Sequence, residues 1–189
     1  MPTAFTHMLI GAAASQLAPA GVPKGRLAVL LALAAAAPDL DVIGFSLGVP
    51  YGALLGHRGL SHSLFFAALL GAAIALAVPA RGPKFRRNLM AIFFIAFAAV
   101  ASHGLLDAAT DAGLGIGFLL PFSDQRYFLP FRPIATAPIN PQRFFSAGRW
   151  HLMISEMLWV WLPLAALTLS FQLGRRMGRS DPRSQALSR

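Results

Sequence analysis

The chain has 189 residues, of which 56% are hydrophobic and only 12% charged, a composition too apolar for a soluble domain of this length. It contains no cysteine, which excludes a disulfide scaffold and a thiolate metal site, so any metal must be held by His, Asp, Glu or backbone groups. The formal net charge of +9 does not indicate a nucleic-acid partner, because the basic residues lie between apolar segments and in the tail. We therefore expect an all-α, polytopic membrane helical bundle.

Five apolar segments follow one another along the chain. The first, residues 4–19, is rich in alanine and would be roughly 24 Å long as a helix, enough to enter the membrane or barely cross it. The other four are each long enough to cross a hydrocarbon core of about 30 Å. They are residues 27–48, 59–79, 89–111 and 150–173. The sequence thus predicts four strong transmembrane spans after a short N-terminal membrane helix.

The connection before the last span differs from the short connections elsewhere. Residues 112–149 combine repeated prolines with Phe and Arg, so they cannot form one continuous helix. We expect an ordered Pro-rich cap lying at the membrane interface. Residues 1–175 would then form a single membrane-embedded domain, and residues 176–189 a disordered basic tail.

The distribution of basic residues predicts the orientation. Eleven of the 16 Lys and Arg residues lie on one side of the predicted membrane, in the connections 21–26 and 80–88 and after residue 173. Because Lys and Arg accumulate in cytoplasmic loops, we expect this side, with the C-terminus, to be cytoplasmic. The cap would lie outside the cytoplasm.

Most His and acidic residues fall inside or at the ends of the apolar segments, where an ionisable side chain is costly, at least about 2.5 kcal/mol for a central Asp. Segments running in opposite directions bring these residues to within about 10 Å of the predicted outer face. They are His7, Asp39, Asp41, His62, His103, Asp107 and Glu156. A single site near the outer face explains this common depth better than independent accidents.

The third strong span has the most informative spacing. His103, Asp107 and Asp111 recur every four residues and therefore share one helix face. A His and an Asp one turn apart can hold one metal or two neighbouring ones, and such ligands suit Zn²⁺, Mn²⁺ or Fe. Asp111 lies at the helix end, where it could equally meet solvent or an arginine.

The motif PDLD, residues 38–41, carries two acids that a regular helix would send to nearly opposite faces. Pro38 removes a backbone hydrogen bond and can kink or unwind the chain. We therefore expect Asp39 and Asp41 to approach the same site.

The motif HRGLSHS, residues 57–63, supplies His57 and His62 around a glycine. Ser61 is placed as an N-cap for the following helix. A helix N-terminus beside Arg58 favours an anion, so a phosphate could dock there.

Each of these residues has a structural alternative. A single membrane His or Asp can simply form an interhelical hydrogen bond. Glu156 could be a metal ligand, a general base or the partner of a loop arginine. His151 lies beside Trp150, and an interfacial role suits it better than ligation.

Taken together, the motifs resemble those of the YdjM-like family of bacterial inner-membrane predicted metal-dependent hydrolases. The resemblance rests on Thr6-His7, PDLD at 38–41, HRGLSHS at 57–63, HGLLDAATD at 103–111, and Glu156 ahead of a Trp-rich helix. The order of motifs is more distantly similar to that of the helical zinc phospholipase C and P1 nuclease group, which hydrolyses phosphoesters with a zinc cluster. That similarity implies as ligands His7, Asp41, His62, His103 and Asp107. The later His and Glu ligands of that group have only Glu156 and His151 as counterparts, which implies one or two metals rather than three.

The sequence predicts a membrane-embedded hydrolase of the bacterial inner membrane with its site facing the periplasm. One or two divalent metals, Zn or else Mn or Fe, would activate water to cleave a phosphoester or ester of a lipid or lipid-linked anionic substrate. The expected metal ligands are His7, Asp39, Asp41, His57, His62, His103, Asp107 and Glu156. Asp39 or Glu156 would act as general base, and Arg58 with the cap arginines would bind the anionic headgroup.

Two other functions use the same residues. A divalent cation or proton transporter would employ the intramembrane His and Asp residues as a pathway. This alternative predicts polar residues throughout the depth of the membrane, whereas the inner halves of the predicted spans carry no acid or His. A metal-stabilised assembly factor is the third hypothesis.

Overall fold

A computed structural model describes residues 1–78, 84–138 and 150–180 of the chain. Within these ranges all regular elements are helical, which confirms the predicted all-α class. The α-helices are α1 (Ala4–Ala14), α2 (Lys24–Ala36), α3 (Ile43–Ser46), α4 (Leu64–Ala77), α5 (Phe85–Ala108), α6 (Trp150–Glu156) and α7 (Leu162–Ser180). Short 3₁₀ helices cover Ser15–Leu17, Ala37–Val42 and Leu60–His62, and a π-helical turn, Met157–Trp161, joins α6 to α7.

The described residues contain three helices that are long and apolar enough to cross a membrane, rather than four strong spans and an N-terminal one. These are Lys24–Ser46, which includes α2 and α3, then Phe85–Ala108, and Trp150–Met177. The predicted span 59–79 is corrected to a 14-residue helix, α4, about 21 Å long. It is shorter because residues 57–63 form turns and a 3₁₀ helix instead of a first helical turn. The N-terminal α1 has only 11 residues.

The outer faces of the long helices are apolar. Val29, Phe94 and Leu167 on three different helices are 60%, 58% and 70% exposed. A soluble protein rarely exposes so many large apolar side chains in contiguous patches, whereas lipid tails are their natural surroundings. The exposed apolar surface thus agrees with a membrane location.

Close backbone approaches hold the helices together. α1 packs on α2, α4 packs on α5, and α2 lies against α5. A Cβ atom at Gly11 of α1 would collide with the backbone of Leu31 in α2, and one at Gly71 of α4 would lie 3.0 Å from the backbone nitrogen of Phe97 in α5. Small residues at such crossings are typical of membrane helices, because packing and not hydrophobic burial drives their association.

The segment after α5 has no regular element between residues 112 and 138, although two isolated β-bridges join Thr110 to Ile134 and Ile116 to Tyr127. Residues 139–149 lie outside the described residues, so the Pro-rich cap stays a prediction. Helix α7 continues to Ser180, five residues into the range 176–189 that the sequence assigns to a disordered tail. Residues 181–189 lie outside the described part.

The crossing of α1 and α2 can be tested with a matched pair of glycine substitutions. Gly11→Ala should lower the free energy of unfolding by about 1–3 kcal/mol, because the added Cβ forces the two helix backbones apart. Gly25→Ala is the control, since a Cβ at Gly25 meets no atom within 4 Å and alanine favours the helix. Thermal unfolding in detergent measures both, and equal melting temperatures for Gly11→Ala and wild type would contradict the crossing.

Candidate metal centre

The 3₁₀ helix Ala37–Val42 presents the two acids of PDLD to different parts of one site. Pro38 lies at its start, where the α2 helix tightens into the 3₁₀ form. The Asp39 carboxylate approaches His103, with Oδ1 lying 3.3 Å from Nε2 of that ring. Asp41 instead faces the loop that carries His57. The expected departure from a regular helix at Pro38 is therefore present.

Asp41 is the hydrogen-bond acceptor that orders the loop 57–63. Its Oδ1 accepts from His57 Nδ1 at 2.7 Å. Its Oδ2 accepts from the hydroxyl of Ser61 at 2.7 Å and from the backbone N–H of Arg58 at 3.2 Å. The sequence suggests Ser61 as the N-cap of α4, but the structure shows that it is not. The cap is Ser63, whose hydroxyl accepts from the N–H of Phe66 at 3.0 Å.

Helix α5 delivers His103 and Asp107 one turn apart on the same face, as their spacing predicts. Gly104 permits this approach, because a Cβ there would lie 2.9 Å from the carbonyl oxygen of His62. His103 donates from Nδ1 to the carbonyl of Ala35 at 2.7 Å. A carbonyl can only accept, so Nδ1 carries the proton and Nε2 presents a lone pair to the site.

His62 lies at the centre of the cluster. Its Nδ1 is 3.2 Å from Asp41 Oδ2, and its Nε2 is 3.1 Å from Nε2 of His103. The same Nε2 is 3.6 Å from Asp107 Oδ2 and 3.8 Å from Asp39 Oδ1. If Nδ1 donates to Asp41, the His62 and His103 rings turn two lone pairs toward each other. A cation between them removes that conflict.

The donor set fits a metal ion. Four buried residues each offer one ligand atom, and these atoms lie within 4.8 Å of one another: Asp39, His62, His103 and Asp107. All four carboxylate oxygens of Asp39 and Asp107 are buried without a hydrogen-bond partner. Burying a carboxylate in this state is very costly unless a cation compensates it. Two imidazoles and two carboxylates are a ligand set that Zn²⁺, Mn²⁺ and Fe accept.

A second group of three residues shares His62 and could also hold an ion: Asp41, His57 and His62. Here, however, both Asp41 oxygens already accept hydrogen bonds from protein groups. The first group therefore has the stronger physical need for a cation. In that arrangement Asp41 lies beside Nδ1 of His62, the ring nitrogen that does not face the metal group, and orients the ring as a carboxylate does for many metal-bound histidines.

His7 and Arg58 flank the first group. The His7 ring stacks on His103 with centroids 3.7 Å apart, and its Nε2 lies 3.7 Å from Asp107 Oδ1. Arg58 is 1% exposed and adopts a left-handed backbone with φ 63°. Its guanidinium donates to the carbonyl of Ala112 at 2.7 Å and the hydroxyl of Thr110 at 2.8 Å, and Nε lies 3.4 Å from Asp107 Oδ2.

Glu156 lies in a different environment from the other expected ligands. Its carboxylate accepts hydrogen bonds from the N–H and the hydroxyl of Thr3, both at 2.7 Å, and from the hydroxyl of Thr6. The indole N–H of Trp161 donates to the same Thr6 hydroxyl at 2.7 Å. Glu156 is fully buried and joins α6 to the start of α1. The structure thus does not bring it into either group of possible ligands.

Asp111, the third member of the four-residue series, accepts hydrogen bonds from the N–H and hydroxyl of Thr136 at 2.9 and 2.6 Å. Burial raises the pKa of Asp111, but the hydrogen bonds from Thr136 outweigh this effect and lower it. Asp111 therefore stabilises the loop after α5 by binding Thr136.

The hydrogen bonds of several hydroxyls that complete the site were not predicted from the sequence. These hydroxyls belong to Thr3, Thr6, Ser61, Ser63 and Thr110. Thr3 and Ser63 had a detectable signal, since each precedes an apolar helix and caps it. Thr110 had none, because its contact with Arg58 joins residues 52 positions apart.

A pocket with a volume of about 200 Å³ lies beside the cluster. Its lining includes Tyr51, His57, Arg58, Gly113 and Thr136. Since His57 binds Asp41 and Arg58 lies against Asp107, the pocket adjoins both groups of possible ligands.

These features define the class: a helical membrane protein with a buried His/Asp cluster at one end of its helices. The sequence pattern of the family described as YdjM inner membrane protein matches residues 1–178, and the chain belongs to that family. It is 37% identical over 163 residues to Inner membrane protein YbcI of Escherichia coli (strain K12), covering 86% of this chain and 92% of that protein. No solved structure matches the chain. The chain is thus a multi-pass inner-membrane protein, as expected.

One prediction from the cluster concerns metal content. His62→Ala, His103→Ala and Asp107→Ala should each bind less metal than wild type, because each removes one of the four buried ligand atoms. Elemental analysis of protein purified without chelator measures the metal-to-protein ratio. His151→Ala, on the exposed start of α6, is the control. Wild-type metal content in all three cluster variants would contradict the assignment of these residues as metal ligands.

A second prediction separates Glu156 from the metal group. Glu156→Ala should lower the free energy of unfolding by about 3 kcal/mol, because it leaves three donors on Thr3 and Thr6 without an acceptor. Metal content of the folded protein should not change. Thr6→Val removes a partner hydroxyl and should act in the same direction. Loss of metal at an unchanged melting temperature would instead make Glu156 a ligand.

Proposed function

We propose that this protein is a metal-dependent hydrolase that cleaves a phosphoester or ester of a lipid or lipid-linked substrate. The observation that supports this most directly is the buried cluster of Asp39, His62, His103 and Asp107 with its unpartnered carboxylate oxygens. A divalent metal bound there would lower the pKa of a water molecule and polarise a phosphoryl or acyl oxygen. Zinc is the preferred ion for two imidazoles and two carboxylates, with manganese or iron as alternatives.

The surrounding residues would orient the ligands. His62 Nδ1 is hydrogen-bonded to the Ser61 hydroxyl at 3.0 Å and lies 3.2 Å from Asp41 Oδ2, and the Ala35 carbonyl accepts from His103 Nδ1. Arg58 lies against Asp107 and ties it to the loop through Thr110. Such outer partners set the tautomer and direction of each ligand, so that little reorganisation accompanies binding.

His57 is the best-placed residue for proton exchange with a substrate. Of the two carboxylates expected as general base, Glu156 is engaged by Thr3 and Thr6, and Asp39 belongs to the proposed metal group. His57 donates through Nδ1 to Asp41, which leaves Nε2 as the basic nitrogen, and it lines the pocket beside the cluster. We assign it the role of proton acceptor or donor.

The headgroup of the substrate would enter the pocket beside Tyr51 and His57. Arg58 contributes positive charge to its wall, but its guanidinium contacts Ala112, Thr110 and Asp107, so its effect on an anion is electrostatic and through Asp107. The exposed Arg132 lies over the Phe128 ring at 4.8 Å in the same loop and could contact a headgroup directly.

The distribution of charge favours a site that faces the periplasm. Lys24 and Arg26 begin α2, and Arg86 and Arg87 begin α5. These ends lie opposite the cluster, which forms where α2 and α5 finish. Since the basic ends of membrane helices face the cytoplasm, the site and the outer leaflet would be on the same side, with the C-terminus cytoplasmic.

Transport of a cation or proton receives less support from the packing. Below the cluster the interior consists of apolar side chains, among them Leu27, Leu31, Ile92 and Ala96. A pathway through the membrane needs polar or ionisable residues along its length. Among the described residues, the buried ionisable side chains lie at the cluster end only.

The hydrolase proposal is tested by incubating purified, metal-loaded protein with a panel of phospholipids, lipid esters and isoprenoid diphosphates. We expect release of phosphate, alcohol or fatty acid that stops when the metal is chelated. His57→Gln should keep its metal and lower turnover about 10²–10⁴-fold, the usual contribution of a positioned acid–base group. Arg86→Gln, at the opposite helix ends, is the control.

Absence of product from every substrate class with fully metal-loaded protein would contradict the proposal. Cation flux into proteoliposomes that depends on His103, without any product, would support transport in its place. Full activity in His57→Gln, with lost activity in an Asp39→Asn variant that keeps its metal, would return the general base to Asp39.

A further inference from the structure

A second site lies at the end of the bundle opposite the metal cluster. A pocket of about 210 Å³ opens there between the start of α2, the residues after α1 and the last turns of α7. We call it the basic pocket. It is lined by Gln16, Lys24, Phe171, Gln172, Arg175 and Arg176.

The basic pocket has a strong excess of positive charge. Three of its six lining residues are Lys or Arg, and none is acidic. The acids among the described residues, from Asp39 to Glu156, all belong to the opposite end or to the loop after α5. No neighbouring carboxylate in the described part therefore competes with an incoming anion.

Arg175 is held in position rather than left free in solvent. Its Nη1 donates to the backbone carbonyl of Gln16 at 3.2 Å, and its guanidinium carbon lies 5.5 Å from the centre of the Phe171 ring. A guanidinium has five N–H groups, so these contacts orient the side chain without exhausting its donors. Such a fork suits the oxygens of a phosphate group.

The surroundings of the basic pocket are apolar. Leu17, Leu169 and Leu173, on the adjoining elements, are 58%, 58% and 46% exposed. A free phosphate ion would make no favourable contact with such apolar surfaces, whereas a phospholipid would place its headgroup among the cations and its acyl chains along the leucines.

We propose that the basic pocket binds the headgroup phosphate of an anionic phospholipid. The lipid would join α7 to α1 and α2 at the end opposite the metal cluster. Of the three long helices, Trp150–Met177 has the smallest buried share. Glu156 and Trp161 attach that helix to α1 near the metal cluster, and the lipid would attach its other end.

The test measures lipid binding and thermal unfolding of full-length protein in detergent. Short-chain phosphatidylglycerol is added to wild type and to Lys24→Gln, and phosphatidylcholine of equal chain length is the neutral probe. Phosphatidylglycerol should raise the melting temperature of wild type more than phosphatidylcholine does. Lys24→Gln should bind phosphatidylglycerol about fivefold more weakly, the expected effect of one basic residue at an anionic lipid. Lys24→Gln/Arg175→Gln should bind it more weakly still.

Arg86→Gln/Arg87→Gln is the matched control, because these exposed arginines begin α5 and do not line the basic pocket. It should retain wild-type affinity for phosphatidylglycerol. Equal weakening in both sets of variants would overturn the proposal, since it would show a diffuse effect of net charge. An equal shift with inorganic phosphate would also overturn it, because the site would then take a free anion. Melting without lipid shows whether each variant is folded.

Discussion

Burial of two carboxylates without hydrogen-bond partners is the constraint on which the arrangement of this protein depends. Asp39 and Asp107 lie on separate helices and meet inside the bundle, where unpaired negative charge is far more costly than in water. The side chains of His62, His103 and Arg58 surround the two acids. Each of the three is also held in place by a contact with another side chain or with a backbone carbonyl.

The regular helices are interrupted where they supply this cluster. α2 tightens into a 3₁₀ helix at Pro38, and the chain before α4 turns through a left-handed Arg58. Such departures are concentrated at functional sites, because a regular helix cannot direct neighbouring residues to one point. Helix α5 needs no interruption and stays regular, because His103 and Asp107, one turn apart, already share a face.

The parts that sequence reasoning could predict are those that depend on local periodicity. The pairing of His103 with Asp107, the opening of the helix at Pro38 and the apolar spans follow from spacing and composition. The shortened α4 does not, because tertiary contacts to Asp41, which join residues about 20 positions apart, take residues 59–63 out of the helix. Glu156 shows the same limit: burial at the right depth predicted a ligand, but its partners Thr3 and Thr6 lie about 150 residues away.

The charges around the cluster would balance a divalent cation. Asp39 and Asp107 carry two negative charges, and Arg58 beside Asp107 neutralises one of them. A divalent cation among the four ligands would then leave one positive charge, in surroundings where charge is weakly screened. The carboxylate of Asp41, which lies 3.2 Å from His62 Nδ1 and accepts hydrogen bonds from His57, Ser61 and the Arg58 backbone N–H, would balance that charge. The cluster with its metal would therefore be close to neutral, so that burial of the ion leaves no large uncompensated charge. A neutral, buried site of this kind fits a bound metal, and the adjoining pocket lined by Tyr51 and His57 is the additional feature that the proposed hydrolase would need.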